Sequence, residues 1–299
     1  MRAIFRPVDT ITDAVLSFSF GTASGDIWLD DVRILDMTDA LVPNSDHATL
    51  IFNDDFDEAA LDRNKWNQLI PCAGVTCYNP NDLGYPAWHN IVQMGDGFLR
   101  LRAQREVTTV TNPPGSPEGA YTFSYTTGVV SSWRNFDFHY GYVEVRAKLP
   151  GGKGVWPAIW TNCYFELTQP TCWPTGGEID IVELYGDQPN VHEHSIHYIG
   201  ITNGKSCSTL PGHQCDSITV PAGDMTNDFH VYVVDWRVDR VIWYVDGVEV
   251  FHSTHSPAAI NYVVLDVKLN GIGGHILPDE TTPLPAEMVV DYVRVWRWK

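Results

Sequence analysis

Alternation of apolar and polar residues at every second position, with almost no helical periodicity, constrains this chain most. Such alternation is typical of half-buried β-strands. Asp246-Gly247, between two alternating runs, predicts a two-residue hairpin. Many strands without helices between them predict an all-β fold of antiparallel sheets, either a sandwich or a barrel. The candidate strands are 26–34, 98–106, 140–148, 178–185, 229–236, 241–245, 248–252, 261–268 and 287–297.

Residues 39–48 are predicted to be a linker, because Pro43 and several small polar residues interrupt the alternation there. The segment before it, 1–38, contains a stretch that resembles the last strands of a carbohydrate-binding β-sandwich module. We expect a stub of this size to be unable to fold alone, and therefore to pack on the main domain or to be partly mobile. The main domain is predicted to span 49–299.

The formal net charge of −18 makes the surface repel nucleic acid and anionic membranes. Neither is therefore expected as a partner, and no segment reaches the roughly 18 apolar residues of a membrane span. A neutral polymer stays compatible with this charge. The chain also lacks the glycine-rich nucleotide-binding motifs. We expect a monomer without a nucleotide cofactor.

Six cysteines fall in three close couples, each within a loop-like stretch. Short separations make each closure entropically easy, so three disulfides are predicted, and they indicate an oxidising compartment. Zinc is the alternative, but no couple has C-x2-C spacing. We expect a secreted protein whose signal peptide lay upstream of this sequence. The couples are Cys72 with Cys77, Cys163 with Cys172, and Cys207 with Cys215.

The segment 178–183 carries three carboxylates: Glu178, Asp180 and Glu183. On a regular strand Glu178 and Asp180 share a face, whereas Glu183 turns toward the core. A buried unpaired Glu is costly, so we predict a one-residue β-bulge near Val182 that returns Glu183 to the acidic side. Neighbouring carboxylates raise at least one pKa, and glycoside hydrolysis needs one ionised and one protonated acid. A solvated edge strand, or a calcium site built from the three acids, is the structural alternative.

Aromatic side chains near this segment suit the faces of pyranose rings. For the histidines of the run 191–197, a zinc site is the alternative reading. On a strand, however, His192 and His194 share a face that His197 does not, which fits one tetrahedral site poorly. The candidate substrate-binding residues are Trp88, Trp133, Trp156, Trp160, Trp173 and His197.

Six stretches between 49 and 298 resemble glycoside hydrolase family 16, in particular its laminarinase-like (endo-β-1,3-glucanase) group. The most specific of them is the E-x-D-x-x-E pattern. The chain departs from this group at Val129, where a basic residue is usual, and at Tyr198-Ile199 after His197. The stretches are 52–56 (FNDDF), 125–132 (YTTGVVSS), 140–150 (YGYVEVRAKLP), 154–160 (GVWPAIW), 178–183 (EIDIVE) and 289–295 (VVDYVRV).

The resemblance implies a two-sheet antiparallel β-sandwich of the jelly-roll type with an open substrate cleft. It implies Glu178 as nucleophile, Glu183 as general acid/base and Asp180 as modulator, with no cofactor for catalysis. It also implies a structural Ca²⁺ held by Asp55, Asp291 and the backbone carbonyl of Gly97. These three positions match family positions that supply oxygen ligands; a plain pair of surface acids is the alternative.

The resemblance implies a secreted, retaining endo-β-glucan hydrolase that acts on neutral β-1,3-glucan by double displacement. Mixed-linkage β-glucan, agarose-type galactan and transglycosylation are alternatives for the substrate and the outcome. A β-glucan-binding protein without activity is a further alternative, although such proteins usually lack the carboxylates that this chain keeps.

Overall fold

Strands dominate the computed structural model, in which the only helical element among the described residues is a 3-10 turn, Trp88–Asn90. The described residues are 43, 46–68, 71–72, 75–76, 83–113, 116–164, 173–199, 205–206, 213–269 and 276–299. The strands are β1 (Ala48–Asp54), β2 (Pro71–Cys72), β3 (Val75–Thr76), β4 (Gly84–Pro86), β5 (Ile91–Gln93), β6 (Leu99–Thr111), β7 (Ala120–Ser131), β8 (Gly141–Lys148), β9 (Val155–Cys163), β10 (Glu178–Glu183), β11 (Val191–Ile199), β12 (Lys205–Ser206), β13 (His213–Pro221), β14 (His230–Arg237), β15 (Arg240–Val245), β16 (Val248–Ser253), β17 (Asn261–Leu269) and β18 (Ala286–Trp298).

Two layers of strands form one continuous hydrogen-bonded path, in the order β12-β13-β11-β10-β9-β17-β7-β6-β18-β8-β14-β15-β16. We call the first seven strands the front layer and the rest, with β1 and β5, the back layer. The long strands β6 and β7 pair with each other and each also pairs within its own layer, so they join the layers at one side. The predicted all-β, two-sheet antiparallel sandwich is confirmed.

One apolar core lies between the layers. Ile179 and Ile196 of the front layer and Tyr232 and Trp243 of the back layer all belong to it and are buried. Across this core, Nε1 of Trp243 donates a hydrogen bond of 2.8 Å to the backbone carbonyl of Asp180. The back layer therefore supports β10 directly, and the other face of the front layer is left to carry polar side chains.

Eight of the nine predicted strands are present, and the Asp246-Gly247 turn joins β15 to β16 with positive φ at both residues. The ninth, 26–34, lies outside the described residues. Among the strands that the sequence did not predict, β9 and the C-terminal half of β7 are buried on both faces, which removes the alternation. No helix among the described residues is long and apolar enough to cross a membrane.

The chain divides into two compact units, 1–42 and 43–299. The division falls within the stretch 39–48 that the sequence predicts to be a linker. The predicted stub, 1–38, lies outside the described residues, so its relation to a carbohydrate-binding module stays a prediction.

Candidate active site

A β-bulge in β10 determines where its acids point. Against β9 the register shifts between Asp180 and Val182, so Ile181 has no partner. Ile181 and Val182 are both fully buried in the core, although adjacent residues of a regular strand point to opposite sides. Two inward side chains in succession return Glu183 to the side that carries Glu178 and Asp180. The predicted bulge is confirmed.

We call the surface formed by Glu178, Asp180, Glu183, Ser195 and His197 the acidic face. Asp180 lies at its centre, where Oδ2 accepts the hydroxyl of Ser195 and lies 3.1 Å from Nε2 of His197. A hydrogen bond also links the side chains of Asp180 and Glu178. Only 3 % of Asp180 is exposed, so these interactions are shielded from bulk water. They are therefore stronger than the same contacts would be on the surface.

Both glutamates of β10 are held back from ionising. Burial, followed by the charge of Asp180, raises the pKa of Glu178 to about 8. Burial and then the charge of Asp180 also raise the pKa of Glu183 well above its ordinary value. An ionised Glu178 raises the pKa of Glu183 further, so the pair favours a state with one carboxylate and one acid. This is the charge state that two-carboxylate glycoside hydrolysis uses.

His197 supplies a positive charge beside these acids. Burial opposes that charge, but the hydrogen bond and negative charge of Asp180 outweigh it and raise the pKa of His197 to about 9. Its other ring nitrogen, Nδ1, lies 3.0 Å from Nε2 of His213. The pKa of His213 is lowered by burial and by His197, so neutral His213 accepts a hydrogen bond from Nδ1–H of the His197 imidazolium. His197 is a predicted site residue, whereas His213 was not predicted.

Trp156 is the predicted aromatic residue that contacts an acid directly. Its Nε1 donates a hydrogen bond of 3.1 Å to Oε1 of Glu183. Its ring stacks on Tyr185 with 5.8 Å between centroids. Trp156 thus lies beside the residue proposed from the sequence as the acid.

Trp133 and Trp160 form part of the floor of the front layer. Both are buried in a second apolar cluster with Tyr262 and Val264. Trp160 pairs in register with Asp180, which places it on the acidic side. The buried parts of these rings support the surface, so only a small edge of each is left for a sugar.

Trp173 and Trp88 occupy different surroundings. The ring of Trp173 meets that of His213 edge-on, with 4.9 Å between centroids. Trp88 is 43 % exposed and lies under the guanidinium of Arg63, 3.6 Å from the ring centroid. Substrate contact by either residue stays a prediction.

Asp266 and Lys268 of β17 were not predicted as site residues, although the strand itself was. Asp266 is opposite Ala158, which is opposite Glu183 on its other side, so the two acids flank one small residue. Nζ of Lys268 lies 3.3 Å from Oδ2 of Asp266 and 5.2 Å from the ring centroid of Trp156. The sequence signal was available, because both are polar residues that alternate with core residues in a predicted strand.

His192 and His194 lie on the core side of β11 and are bonded to each other, with 2.7 Å between Nδ1 of His192 and Nε2 of His194. The zinc site that the sequence left as an alternative for these histidines and His197 is not formed among the described side chains. Among the described residues, the only group of side chains placed to hold a metal ion is Glu178, Asp180 and His197, whose ligand atoms lie within 4.8 Å. Protonated His197 offers no lone pair to a metal, so this group fits the acid chemistry better.

The residues expected to hold calcium are engaged by arginines. Oδ1 of Asp55 lies 2.8 Å from Nη2 of Arg294, and Oδ2 of Asp291 bonds Nη1 of Arg146. Gly97 lies beside Asp57 and has a φ of +80°. As placed, these side chains are neutralised by guanidinium groups, and they fit a cation only if the arginines move away.

Of the six cysteines, Cys163 and Cys215 have described side chains, and both are disulfide-bonded. The side chains of the other four, Cys72, Cys77, Cys172 and Cys207, lie outside the described residues. The three pairings therefore stay predictions.

Comparison with known proteins agrees with this geometry. Residues 88–282 match the model of glycosyl hydrolases family 16. A beta-glucanase from Rhodothermus marinus is 30% identical over 84% of this chain and 86% of its own length. Glucan endo-1,3-beta-glucosidase A1 from Niallia circulans is 29% identical over 90% of this chain, which spans 40% of that longer protein.

A solved structure has the same fold. The X-ray structure of an endo-beta-1,3-glucanase from Pyrococcus furiosus superposes with a TM-score of 0.67 and 31% identity, over 84% of this chain and 95% of that one. The matched region contains the bulged strand β10 and the whole acidic face. The protein is a glycoside hydrolase, and the chain belongs to glycosyl hydrolases family 16.

Proposed function

We propose that this protein is an endo-acting hydrolase of β-1,3-linked glucan that retains the anomeric configuration. The observation that carries the proposal is the placement of three carboxylates on one side of β10 by the bulge, where burial and the charge of Asp180 raise the pKa values of Glu178 and Glu183. This arrangement supports double displacement, in which one acid attacks and the other moves protons.

In the proposed mechanism Glu178 attacks the anomeric carbon while Glu183 protonates the departing oxygen. Glu183 then takes a proton from water as that water displaces the glycosyl group from Glu178. The positive charges of His197 and Lys268 lower the pKa of Glu178, which favours its ionised, attacking form. Asp180 bonds Glu178 and His197 and so couples the titration of the set.

The assignment of the acid rests on which glutamate keeps its proton more firmly. His197 and Lys268 both lower the pKa of Glu178 against the rise caused by burial, which favours Glu178 as the group that ionises. The charge of Glu178 then raises the pKa of Glu183, which holds its proton for the leaving group. Trp156 donates to Oε1 of Glu183, so the transferable proton belongs on Oε2.

A neutral β-1,3-glucan is the proposed substrate, with mixed-linkage glucan as a secondary one. The relatives from Niallia circulans and Pyrococcus furiosus are endo-1,3-beta-glucanases, which supports the linkage. The net charge of −18 supports a neutral polymer over a polyanion. Trp156 and Trp173 offer partly exposed aromatic rings near the acids for stacking.

Reducing-sugar release from laminarin, lichenan, agarose and xyloglucan tests the substrate. We expect laminarin to be cleaved fastest and to yield short oligosaccharides early, as endo action requires. Cleavage of agarose with laminarin left intact would overturn the substrate and leave the reaction class. Product analysis at high acceptor concentration separates hydrolysis from transglycosylation, which uses the same covalent intermediate.

Active-site variants test the roles. Glu178→Ala should abolish turnover of any leaving group, whereas Glu183→Ala should keep activity on an aryl glycoside, whose leaving group needs little acid. With azide, Glu178→Ala should give an α-azide and Glu183→Ala a β-azide. Glu193→Gln, a matched control opposite Glu183 on β11, should retain most activity. The reversed azide products would swap the roles, and inverted wild-type product would exclude double displacement.

Two further properties belong to the same proposal. Cys163 and Cys215 each take part in a disulfide, which supports a secreted, extracellular enzyme. Calcium bound by Asp55, Asp291 and the carbonyl of Gly97 would raise the melting temperature, and a chelator would lower it. If neither treatment changes the melting temperature, and Arg294→Ala does not create a calcium response, the calcium proposal falls.

A further inference from the structure

The bulge in β10 leaves two backbone carbonyls to be satisfied by side chains. Nε1 of Trp243 donates to the carbonyl of Asp180 at 2.8 Å. Nδ1 of His194 lies 2.6 Å from the carbonyl of Ile181, the residue that has no partner on β9. A buried carbonyl without a donor is costly, so both contacts stabilise the bulged conformation.

His194 also lies directly opposite the bulge. In the pairing of β10 with β11, Asp180 faces Ser195 and Glu183 faces Glu193. Two residues of β10, Ile181 and Val182, therefore oppose His194 alone, which is the two-against-one geometry of a bulge. The imidazole of His194 thus bonds the irregular segment from the facing strand.

His192 fixes the tautomer that this contact needs. A carbonyl only accepts, so Nδ1 of His194 must carry a proton and donate. Neutral His194 then has an unprotonated Nε2, which accepts from Nδ1 of His192 at 2.7 Å. Burial lowers the pKa of His192 to about 4 and of His194 to about 3, so both rings are neutral at neutral pH. The hydrogen bonds of this pair therefore run in one direction: His192 donates to His194, and His194 donates to the carbonyl of Ile181.

We propose that His194, oriented by His192, is a positioning residue that holds the β10 bulge and thereby aims the carboxyl group of Glu183 at the leaving group. Neither histidine touches the acidic face, since both lie on the core side of β11. Without the bond to Ile181, the bulge loses a donor on the side facing β11. Glu183 is the acid displaced most, because it follows the bulge, whereas Glu178 precedes it. This inference rests on the proposed role of Glu183 as acid/base.

The test compares substrates that need the acid with substrates that do not. His194→Ala should lower kcat on a laminari-oligosaccharide about 10- to 100-fold, since misplacing a catalytic group by about 1 Å has effects of this size. On an aryl glycoside with a good leaving group, the loss in the glycosylation step should stay below about threefold. His194→Asn places an amide nitrogen where Nδ1 was and should restore most of the oligosaccharide activity.

A purely structural role gives a different pattern. It lowers the melting temperature and reduces the activity on both substrates by the same factor, and that result would overturn the proposal. Full activity of His194→Ala on the oligosaccharide would also overturn the proposal, and so would a lack of recovery in His194→Asn. If His194→Ala does not fold, His192→Leu is measured on the same pair of substrates instead. This variant removes the donor to Nε2 of His194 and leaves the ring of His194 in place. An equal loss in that variant counts against the proposal in the same way.

Glu183→Ala, measured on the same two substrates, separates the proposed role of Glu183 from the proposed positioning role of His194. If Glu183→Ala fails to discriminate between them, the proposed function of Glu183 is wrong. If Glu183→Ala discriminates and the histidine variants do not, only the positioning role is wrong.

Discussion

Trp156 donates its indole N–H to Oε1 of Glu183, at a distance of 3.1 Å. Because indole has no acceptor, this bond fixes which oxygen of Glu183 is free to carry the proton. The same ring stacks on Tyr185, so the orientation of Trp156 is held from a second side. Glu183 is thus positioned by β9 as well as by its own strand.

Trp156→Phe removes this bond and keeps an aromatic ring against Tyr185. We expect kcat on laminarin to fall about tenfold, since a hydrogen bond to a carboxyl group contributes about 1.5 kcal/mol. Trp298→Phe is a matched control, because Nε1 of Trp298 donates to Asp235 in the back layer at 2.9 Å. Equal kcat losses in the two variants would show that the Glu183 bond has no particular role.

Glu178→Gln should stabilise the fold, and more so at higher pH. The pKa of Glu178 is raised from 4.5 to about 8, so between these pH values the folded protein keeps a proton that the unfolded chain releases. The free energy of unfolding therefore falls as pH rises through this window. Glutamine removes that loss, and we expect a gain of roughly 2 to 4 kcal/mol at pH 8 but little at pH 4. Urea unfolding at both pH values measures it; a gain independent of pH would contradict the assignment.

His197→Asn should move the acid limb of the pH–rate profile. The positive charge of His197 lowers the pKa of Glu178, so its removal raises that pKa and shifts the ionisation of this proposed nucleophile to higher pH. We expect the acid limb of kcat/KM to shift upward by about one pH unit. His213→Asn, which leaves the charge of His197 in place, should shift the limb less. An acid limb that stays fixed in His197→Asn would exclude this electrostatic role.

Deletion of Ile181 tests the bulge by removing the extra residue. A regular strand then carries Glu178, Asp180 and Glu183 at alternate positions, all on one side. We expect a folded protein that is about 2 to 5 kcal/mol less stable, because a buried isoleucine is lost, and that still cleaves laminarin.

Deletion of Ile179 is the matched control for that experiment. It removes a similar buried side chain but turns Glu178 to the other side of the strand relative to Asp180. Activity should therefore disappear in this variant while far-UV circular dichroism stays that of a β protein. If both deletions behave alike, the bulge is not what brings the three acids together.

The sequence by itself determined the fold class, and it located the strand that carries the three acids. Alternation locates strands on its own, because side chains of a half-buried strand point alternately to core and solvent. The bulge also followed from the sequence, since a regular strand would have buried Glu183 without a partner. Only its exact extent, with Ile181 and Val182 both turned inward, needed the structure.

Tertiary structure alone decided which side chains support those acids from distant strands. His194 and Trp243 reach the carbonyls of β10 from a neighbouring strand and from the opposite layer, and no local pattern predicts such contacts. The same holds for Lys268 of β17, whose charge acts on Glu178 of β10 across the intervening strand β9. Periodicity reports the face on which a side chain lies, whereas hydrogen bonds and pKa values depend on distances between strands far apart in sequence, which only the folded chain sets.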